Sequence, residues 1–109
     1  MAFGNKSFTP ITLLEKANGS ITSSYTSIGT TTAFCRIVNV VNNTDKTMYF
    51  STDGTHDHFK VASLQTRPLN LTAASANGNN GFSANGTTWY VKYASAPSSG
   101  EVVIEGITG

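Results

Sequence analysis

The residues best suited to chemistry lie in the segment from Thr52 to His58, where two histidines and two aspartates occur within six residues. Imidazole and carboxylate groups are common ligands of zinc and related metals. On a strand, His56 and His58 would share one face, and Asp57 is the third candidate ligand. Because no further cluster of histidine or cysteine completes such a site, we expect a polar hairpin loop here, with no functional metal and no cofactor.

The sequence predicts a protein without catalytic activity. It contains no Gly-x-Ser-x-Gly segment in which a serine nucleophile would sit on a strand-to-helix turn. Of the three glutamates, Glu101 and Glu105 flank strand residues and resemble a solvated face rather than an acid and base pair. A glycine-rich phosphate loop requires a following helix, and the sequence predicts none.

Three aromatic residues close together, Trp89, Tyr90 and Tyr93, allow two interpretations. They would form a platform for stacking sugars if Trp89 or Tyr90 were exposed, and the protein would then be a receptor- or glycan-binding module. The alternative, which we favour, places Trp89 and Tyr93 in the core and Tyr90 in a cross-strand pair.

Length and composition indicate one small domain with a nearly neutral surface. The chain has 109 residues, of which seven are Lys or Arg and six are Asp or Glu, and these charges are scattered. Nucleic-acid binding and docking on an anionic membrane both need clustered positive charge, so we expect neither. The segment Met1 to Lys6 lacks the apolar run of a signal peptide, so we expect synthesis in a cytoplasm. Cys35 lies in an apolar run and is predicted to be a buried core thiol.

The order of residues predicts an all-β fold. Thr, Ser, Asn and Gly make up 48 of the 109 residues, and these types favour strands and turns over helices. About seven or eight short strands separated by turn signals indicate a small antiparallel β-sandwich or barrel. Strand 8–14 contains Pro10, which places it at an edge, and strand 67–71 is a candidate weakened by Pro68. The other predicted strands are a weak one in 21–32, and 34–41, 47–51, 59–62, 87–93 and 101–107.

Two further expectations concern how these strands are arranged. Strand 34–41 is almost continuously apolar, which is typical of a strand covered on both faces. Short turns separate strand 34–41 from 47–51 and strand 87–93 from 101–107, and each pair is predicted to form a hairpin.

Two segments stand outside this pattern and are candidate contact surfaces. Residues 1–9 form a predicted N-terminal arm before a single domain at 10–109, and Phe3 and Phe8 are the arm's isolated aromatic anchors. Residues 72–86 form a long Ala, Ser, Asn and Gly loop that buries too little to order itself. The candidate interface residues in this loop are Asn79, Asn80 and Phe82.

Two stretches of the chain resemble a known family. The first runs from Phe34 to Val61 and includes Arg36-Ile37-Val38-Asn39, Asn43-Thr44 and Met48-Tyr49-Phe50-Ser51-Thr52-Asp53-Gly54. The second, from Thr87 to Ile107, includes Trp89-Tyr90-Val91-Lys92 and Pro97-Ser98-Ser99-Gly100-Glu101-Val102-Val103-Ile104. These patterns, over roughly half of the chain, resemble the small β-sandwich virion proteins of tailed double-stranded DNA bacteriophages.

The resemblance implies a structural role in the virion, with no catalytic residue to carry over. We expect a capsid decoration or cement subunit that binds across junctions between capsid proteins, in many copies or as a homo-oligomer. The implied partners are the major capsid protein or other virion proteins. The nearer alternative is a component of the neck, tail or fibres, and the more distant one is the receptor- or glycan-binding module.

Overall fold

Alternation of buried and half-buried side chains organises the strands of the protein. The computed structural model describes residues 9–31, 35, 37–70 and 86–108. In the strand Ile37–Asn42, the side chains of Val38, Val40 and Asn42 are buried and those between them are half-buried. A period of two is that of a strand with one face on a core. The prediction that this strand is covered on both faces was therefore wrong for the part described.

The described residues form nine strands in two antiparallel sheets. The strands are β1 (Thr9–Pro10), β2 (Leu14–Ala17), β3 (Thr26–Thr30), β4 (Ile37–Asn42), β5 (Met48–Ser51), β6 (Phe59–Val61), β7 (Gln65–Asn70), β8 (Thr88–Tyr93) and β9 (Glu101–Thr108). The first sheet has the order β1-β9-β4-β7, and β2 also pairs with β9. The second has the order β3-β8-β5-β6. The predicted small antiparallel β-sandwich is confirmed.

The core lies between the two sheets and is built from short apolar side chains around two large ones. Phe50 and Trp89 are 0% and 2% exposed, and Phe59 stacks on Trp89 with ring centroids 5.9 Å apart. The other buried apolar residues of this cluster are Ile21, Cys35, Val38, Val40, Met48, Val61, Val91, Val102 and Ile104. The predictions that Trp89 belongs to the core and that Cys35 is a buried thiol are confirmed.

Both predicted hairpins were wrong, because in each case the chain changes sheet between the two strands. Strand β4 pairs with β7 and β9, whereas β5 pairs with β6 and β8. Likewise β8 belongs to the second sheet and β9 to the first. Within a sheet, β5 and β6 form a hairpin around the loop Thr52 to His58.

The crossover from β4 to β5 is shaped by a buried asparagine. The side-chain amide of Asn42 donates to the carbonyl oxygens of Lys46 and Val61 at 2.8 and 2.9 Å. Its oxygen accepts hydrogen bonds from the backbone N–H and the hydroxyl of Thr44 at 2.9 and 2.6 Å. Asn42 and Thr44 are both 0% exposed. The side chain therefore fixes a corner that directs the chain out of the first sheet.

The crossover from β8 to β9 lies against this corner. Ser98 donates from its backbone N–H and its hydroxyl to the carboxylate of Asp45 at 2.9 and 2.6 Å. Gly100 has φ +85°, and a Cβ there would lie 1.9 Å from the carbonyl oxygen of Asn43. Only glycine fits such an approach with a left-handed backbone. The two crossovers thus form one unit, called the corner below (residues 42–46 and 98–100).

The sheet edges follow the prolines. Among the described strands, β1, which contains Pro10, pairs only with β9, and β7, which contains Pro68, pairs only with β4. The edge position predicted from Pro10 is confirmed, and β7, which was predicted only as a strand weakened by Pro68, also lies at an edge. The predicted first strand 8–14 is divided, because in the described part the pairing with β9 is interrupted between Pro10 and Leu14 and its register shifts by one residue.

No helix long and apolar enough to span a membrane occurs in the described part of the chain.

Candidate functional site

The segment Thr52 to His58 is an ordered loop that joins β5 to β6. The hydroxyl of Ser51, which is fully buried, accepts hydrogen bonds from the backbone N–H groups of Asp53 and Gly54 at 3.1 and 2.9 Å. It donates to the Asp53 carboxylate at 2.8 Å. A short polar side chain that satisfies the following backbone groups in this way fixes the start of a turn. The loop is therefore anchored to the sheet at its first residues.

The carboxylate of Asp53 organises the rest of the loop. Its Oδ1 atom accepts hydrogen bonds from the backbone N–H groups of Thr55 and His56 at 2.8 and 2.9 Å. The hydrogen bond from the His56 backbone and that from its ring, followed by those of Thr55 and Ser51, hold the pKa of Asp53 far below its ordinary value of 3.8. These hydrogen bonds favour the charged form of Asp53, whose side chain is 43% exposed.

Both histidines of the loop face the second oxygen of this carboxylate. Nδ1 of His56 lies 2.7 Å from Asp53 Oδ2, and Nε2 of His58 lies 3.8 Å from the same atom. The two imidazole rings are stacked, with centroids 6.1 Å apart and an interplanar angle of 23°. One ligand atom from each of the three residues lies within 4.8 Å of the others. The loop therefore gathers two imidazoles and one carboxylate on its exposed side.

Asp57, the third residue expected beside the histidines, points elsewhere. Its Oδ1 accepts a hydrogen bond from the Tyr25 hydroxyl and lies 3.2 Å from Lys92 Nζ. The hydrogen bonds from Tyr25 and then Lys92 lower the pKa of Asp57. Burial, reinforced by the nearby Asp57, raises the pKa of Tyr25. The structure thus places Asp53, and not Asp57, beside the histidines. The sequence signal for this is Ser51-x-Asp53-Gly54, in which the serine hydroxyl binds the aspartate carboxylate.

Gly54 and Tyr90 pack the loop against the outer face of the second sheet. Gly54 has φ +77°, and a Cβ there would lie 3.3 Å from the ring of Tyr90. Tyr90 is half-buried and pairs with Ser51 and Ser27 on the neighbouring strands. The predicted cross-strand position of Tyr90 is confirmed. Its ring therefore supports the loop, and Trp89 faces the core on the opposite side of the strand.

A second surface feature is an apolar groove on the first sheet, beside the segment that connects β1 to β2. It is lined by Ile11, Leu13, Ile37 and Ile107, with Asn39 and Glu105 at its border. Leu13 is 50% exposed, and in the described ranges Leu64 is the other exposed large apolar residue. Asn39 donates to Glu105 at 3.2 Å across the strand pair. The groove was not predicted, because it forms from residues distant in sequence.

The candidate interface residues from the sequence, Phe3, Phe8, Asn79, Asn80 and Phe82, lie outside the described residues. So do the predicted arm and long loop, apart from Thr9 and Gly86.

Comparison of the chain with protein-family models, with curated proteins and with solved structures gives no match.

Proposed function

We propose that the protein is a non-enzymatic structural subunit of a tailed-phage virion. Its role is that of a capsid decoration or cement protein, which binds across junctions between capsid proteins and adds contact area to the shell. The strand and turn motifs in 34–61 and 87–107 support this role through their resemblance to small virion β-sandwiches. A net charge of +1 suits side-by-side packing of many copies, because a strongly charged subunit would repel its neighbours.

The observation that carries the proposal is the apolar groove on the first sheet. Its four aliphatic side chains come together beside β1. An exposed apolar strip with a polar border is typical of a protein-protein contact. The major capsid protein, or another virion protein, is the partner that the groove would contact.

The glycan-binding alternative loses its main platform in this arrangement. Trp89 is 2% exposed and stacked on Phe59, so its faces are not open to a sugar. Tyr90 is half-buried beneath the turn at Gly54. The sugar-stacking interpretation required one of these two residues to be exposed, so we favour the virion role.

Copy number in purified particles tests the proposal. Quantitative mass spectrometry of virions from the source would scale this chain to the most abundant shell protein. A simple ratio to that protein supports decoration or cement. A few copies per particle would place the chain in the neck, tail or fibres, and absence from the particle would overturn the virion role.

We predict that Leu13→Ser strongly reduces incorporation into particles. The exposed leucine at the groove would contribute buried apolar area to the contact, and a fully buried leucine side chain contributes about 1.5–3 kcal/mol. Leu64→Ser is the matched control, since Leu64 is 69% exposed at the turn between β6 and β7. Equal amounts of the two purified variants would be mixed with particles lacking the protein, and the bound fraction measured. Equal binding of both variants would exclude the groove as the contact.

A further inference from the structure

We propose that Asp53, His56 and His58 form a binding site for one divalent transition-metal ion of the zinc type. Among the described residues, this is the one group of three or more histidine, cysteine, aspartate or glutamate side chains close enough to share an ion. Imidazole and carboxylate ligands suit zinc, copper and nickel. The proposal is independent of the virion role and concerns only the loop between β5 and β6.

The distances between the three side chains match those between ligands of a single ion. With metal-ligand bonds of about 2.0–2.1 Å, neighbouring ligand atoms of a tetrahedral ion lie about 3.3 Å apart. The two distances from Asp53 Oδ2, 2.7 Å to His56 Nδ1 and 3.8 Å to His58 Nε2, lie on either side of that value. The three ligand atoms therefore lie at about the spacing expected of ligands on one ion.

The loop holds its carboxylate ready for this role. Oδ1 of Asp53 is occupied by the backbone of Thr55 and His56 and by the Ser51 hydroxyl. Oδ2 contacts only the histidines among the recorded interactions of the described chain. One oxygen therefore maintains the loop while the other faces the ion, so binding does not dismantle the turn. An ordered ligand set reduces the entropy lost when an ion binds.

Thr52 orients the imidazole ring of His58. Nδ1 of His58 lies 3.1 Å from both the backbone N–H and the hydroxyl oxygen of Thr52. Nδ1 accepts the hydrogen bond from the Thr52 backbone N–H, and this contact holds the ring with Nε2 facing Asp53 Oδ2. Water completes the coordination, because the three side chains lie at the surface.

The experiment is a titration of the full chain, free of any polyhistidine tag, with Zn²⁺ by calorimetry and with Co²⁺ by visible absorption. We expect one ion per chain. His56→Ala and His58→Ala each remove a ligand. Loss of a residue that only orients a ligand lowers metal affinity about 10–100-fold, so we expect each of these variants to bind about 100-fold more weakly. Far-UV circular dichroism would show that these exposed substitutions leave the fold intact.

A pair of variants with equal charge separates ligation from simple attraction. Asp53→Asn and Asp57→Asn each remove one negative charge from the same loop. Asparagine at 53 retains an oxygen for the backbone of Thr55 and His56 but presents an amide nitrogen, which is a poor ligand, to the ion. Asp53→Asn should therefore weaken binding at least about tenfold, whereas Asp57→Asn should leave it unchanged.

Three results would overturn the proposal. One is the lack of stoichiometric binding by the unmodified chain. Another is equal weakening by Asp53→Asn and Asp57→Asn, which would indicate non-specific attraction. The third comes from two-dimensional NMR with Zn²⁺, if the amide signals of the loop 52–58 are unaffected while others shift. Shifts or broadening centred on this loop would support the site.

Discussion

The two polar segments at the ends of β5 have similar compositions and opposite environments. Before β5, the corner has the sequence Asn-Asn-Thr-Asp-Lys (residues 42–46). After β5, the loop has the sequence Thr-Asp-Gly-Thr-His-Asp-His (residues 52–58). In the corner, Asn42 and Thr44 are fully buried. In the loop, the side chains of Asp53, His56 and His58 are 43%, 72% and 36% exposed.

This difference in burial determines what the polar groups do. Both polar ends of the Asn42 side chain are satisfied within the protein, since a buried group without a partner is costly. In the loop, one oxygen of Asp53 is used for folding and the other faces exposed ring nitrogens. The corner is therefore a structural device that joins the sheets, and the loop is a surface with groups available to a ligand.

The largest effect on the corner is expected from Gly100→Ala. A left-handed backbone costs an L-residue about 1–2 kcal/mol, and forcing a new atom into a packed site costs about 1–3 kcal/mol more. We expect the free energy of unfolding to fall by about 2–5 kcal/mol, measured by urea denaturation with the fluorescence of Trp89, the single tryptophan.

Gly19→Ala is the control for that change. No heavy atom lies within 4 Å of where a Cβ at Gly19 would be, so the unfolding free energy should change by no more than about 0.5 kcal/mol. If Gly100→Ala were as mild as Gly19→Ala, the close approach of the two crossovers at Asn43 would be refuted.

The next largest effect is expected from Asn42→Ala. Removing the amide leaves the buried backbone N–H of Thr44 without its acceptor and takes a donor from the carbonyl of Val61, while the Thr44 hydroxyl keeps only the Lys46 carbonyl as acceptor. Buried groups left unpaired cost about 1–3 kcal/mol each, so we expect a loss of about 2–4 kcal/mol in the same assay.

The neighbouring asparagine provides the comparison. Asn43 is exposed, and its side chain makes a long contact of 3.4 Å to Glu101. Asn43→Ala should change stability by about 0.5 kcal/mol or less. Equal losses for the two asparagines would mean that the buried network does not hold the corner.

The sequence predicted the strands better than their partners. Alternation of side chains placed Trp89 in the core, and Pro10 placed β1 at an edge, because these features depend on local chemistry. The crossovers were mistaken for hairpin turns, since Asn, Asp, Ser and Gly favour a reversal of direction whether or not the chain stays in its sheet. What decides between them is the burial of Asn42 between distant strands, which a short window of sequence does not contain.

The same dependence on residues distant in sequence explains which part of the loop was predicted wrongly. Two histidines and two aspartates in sequence identified the region, but spacing alone did not distinguish Asp53 from Asp57. Tyr25, which directly precedes β3, and Lys92, in β8, hold Asp57 away from the histidines. The apolar groove at Leu13 was missed for a related reason, because its lining comes from three separate parts of the chain.

The smallest effect concerns the acid stability that each region contributes through one exposed carboxylate. Hydrogen bonds lower the pKa of Asp53, in the loop, and of Asp45, in the corner, below the ordinary value of 3.8. A pKa lowered by folding stabilises the protein above about pH 4, and that contribution is lost as the pH falls through the lowered pKa. The lowering of the pKa is larger for Asp53, which has the backbone and ring of His56 as donors, whereas Asp45 has Ser98.

Asp53→Asn should therefore flatten the decline of unfolding free energy between pH 4 and pH 2 more than Asp45→Asn does, in urea denaturations at a series of pH values. An equal or greater flattening by Asp45→Asn would show that the corner, and not the loop, has the more strongly stabilised carboxylate.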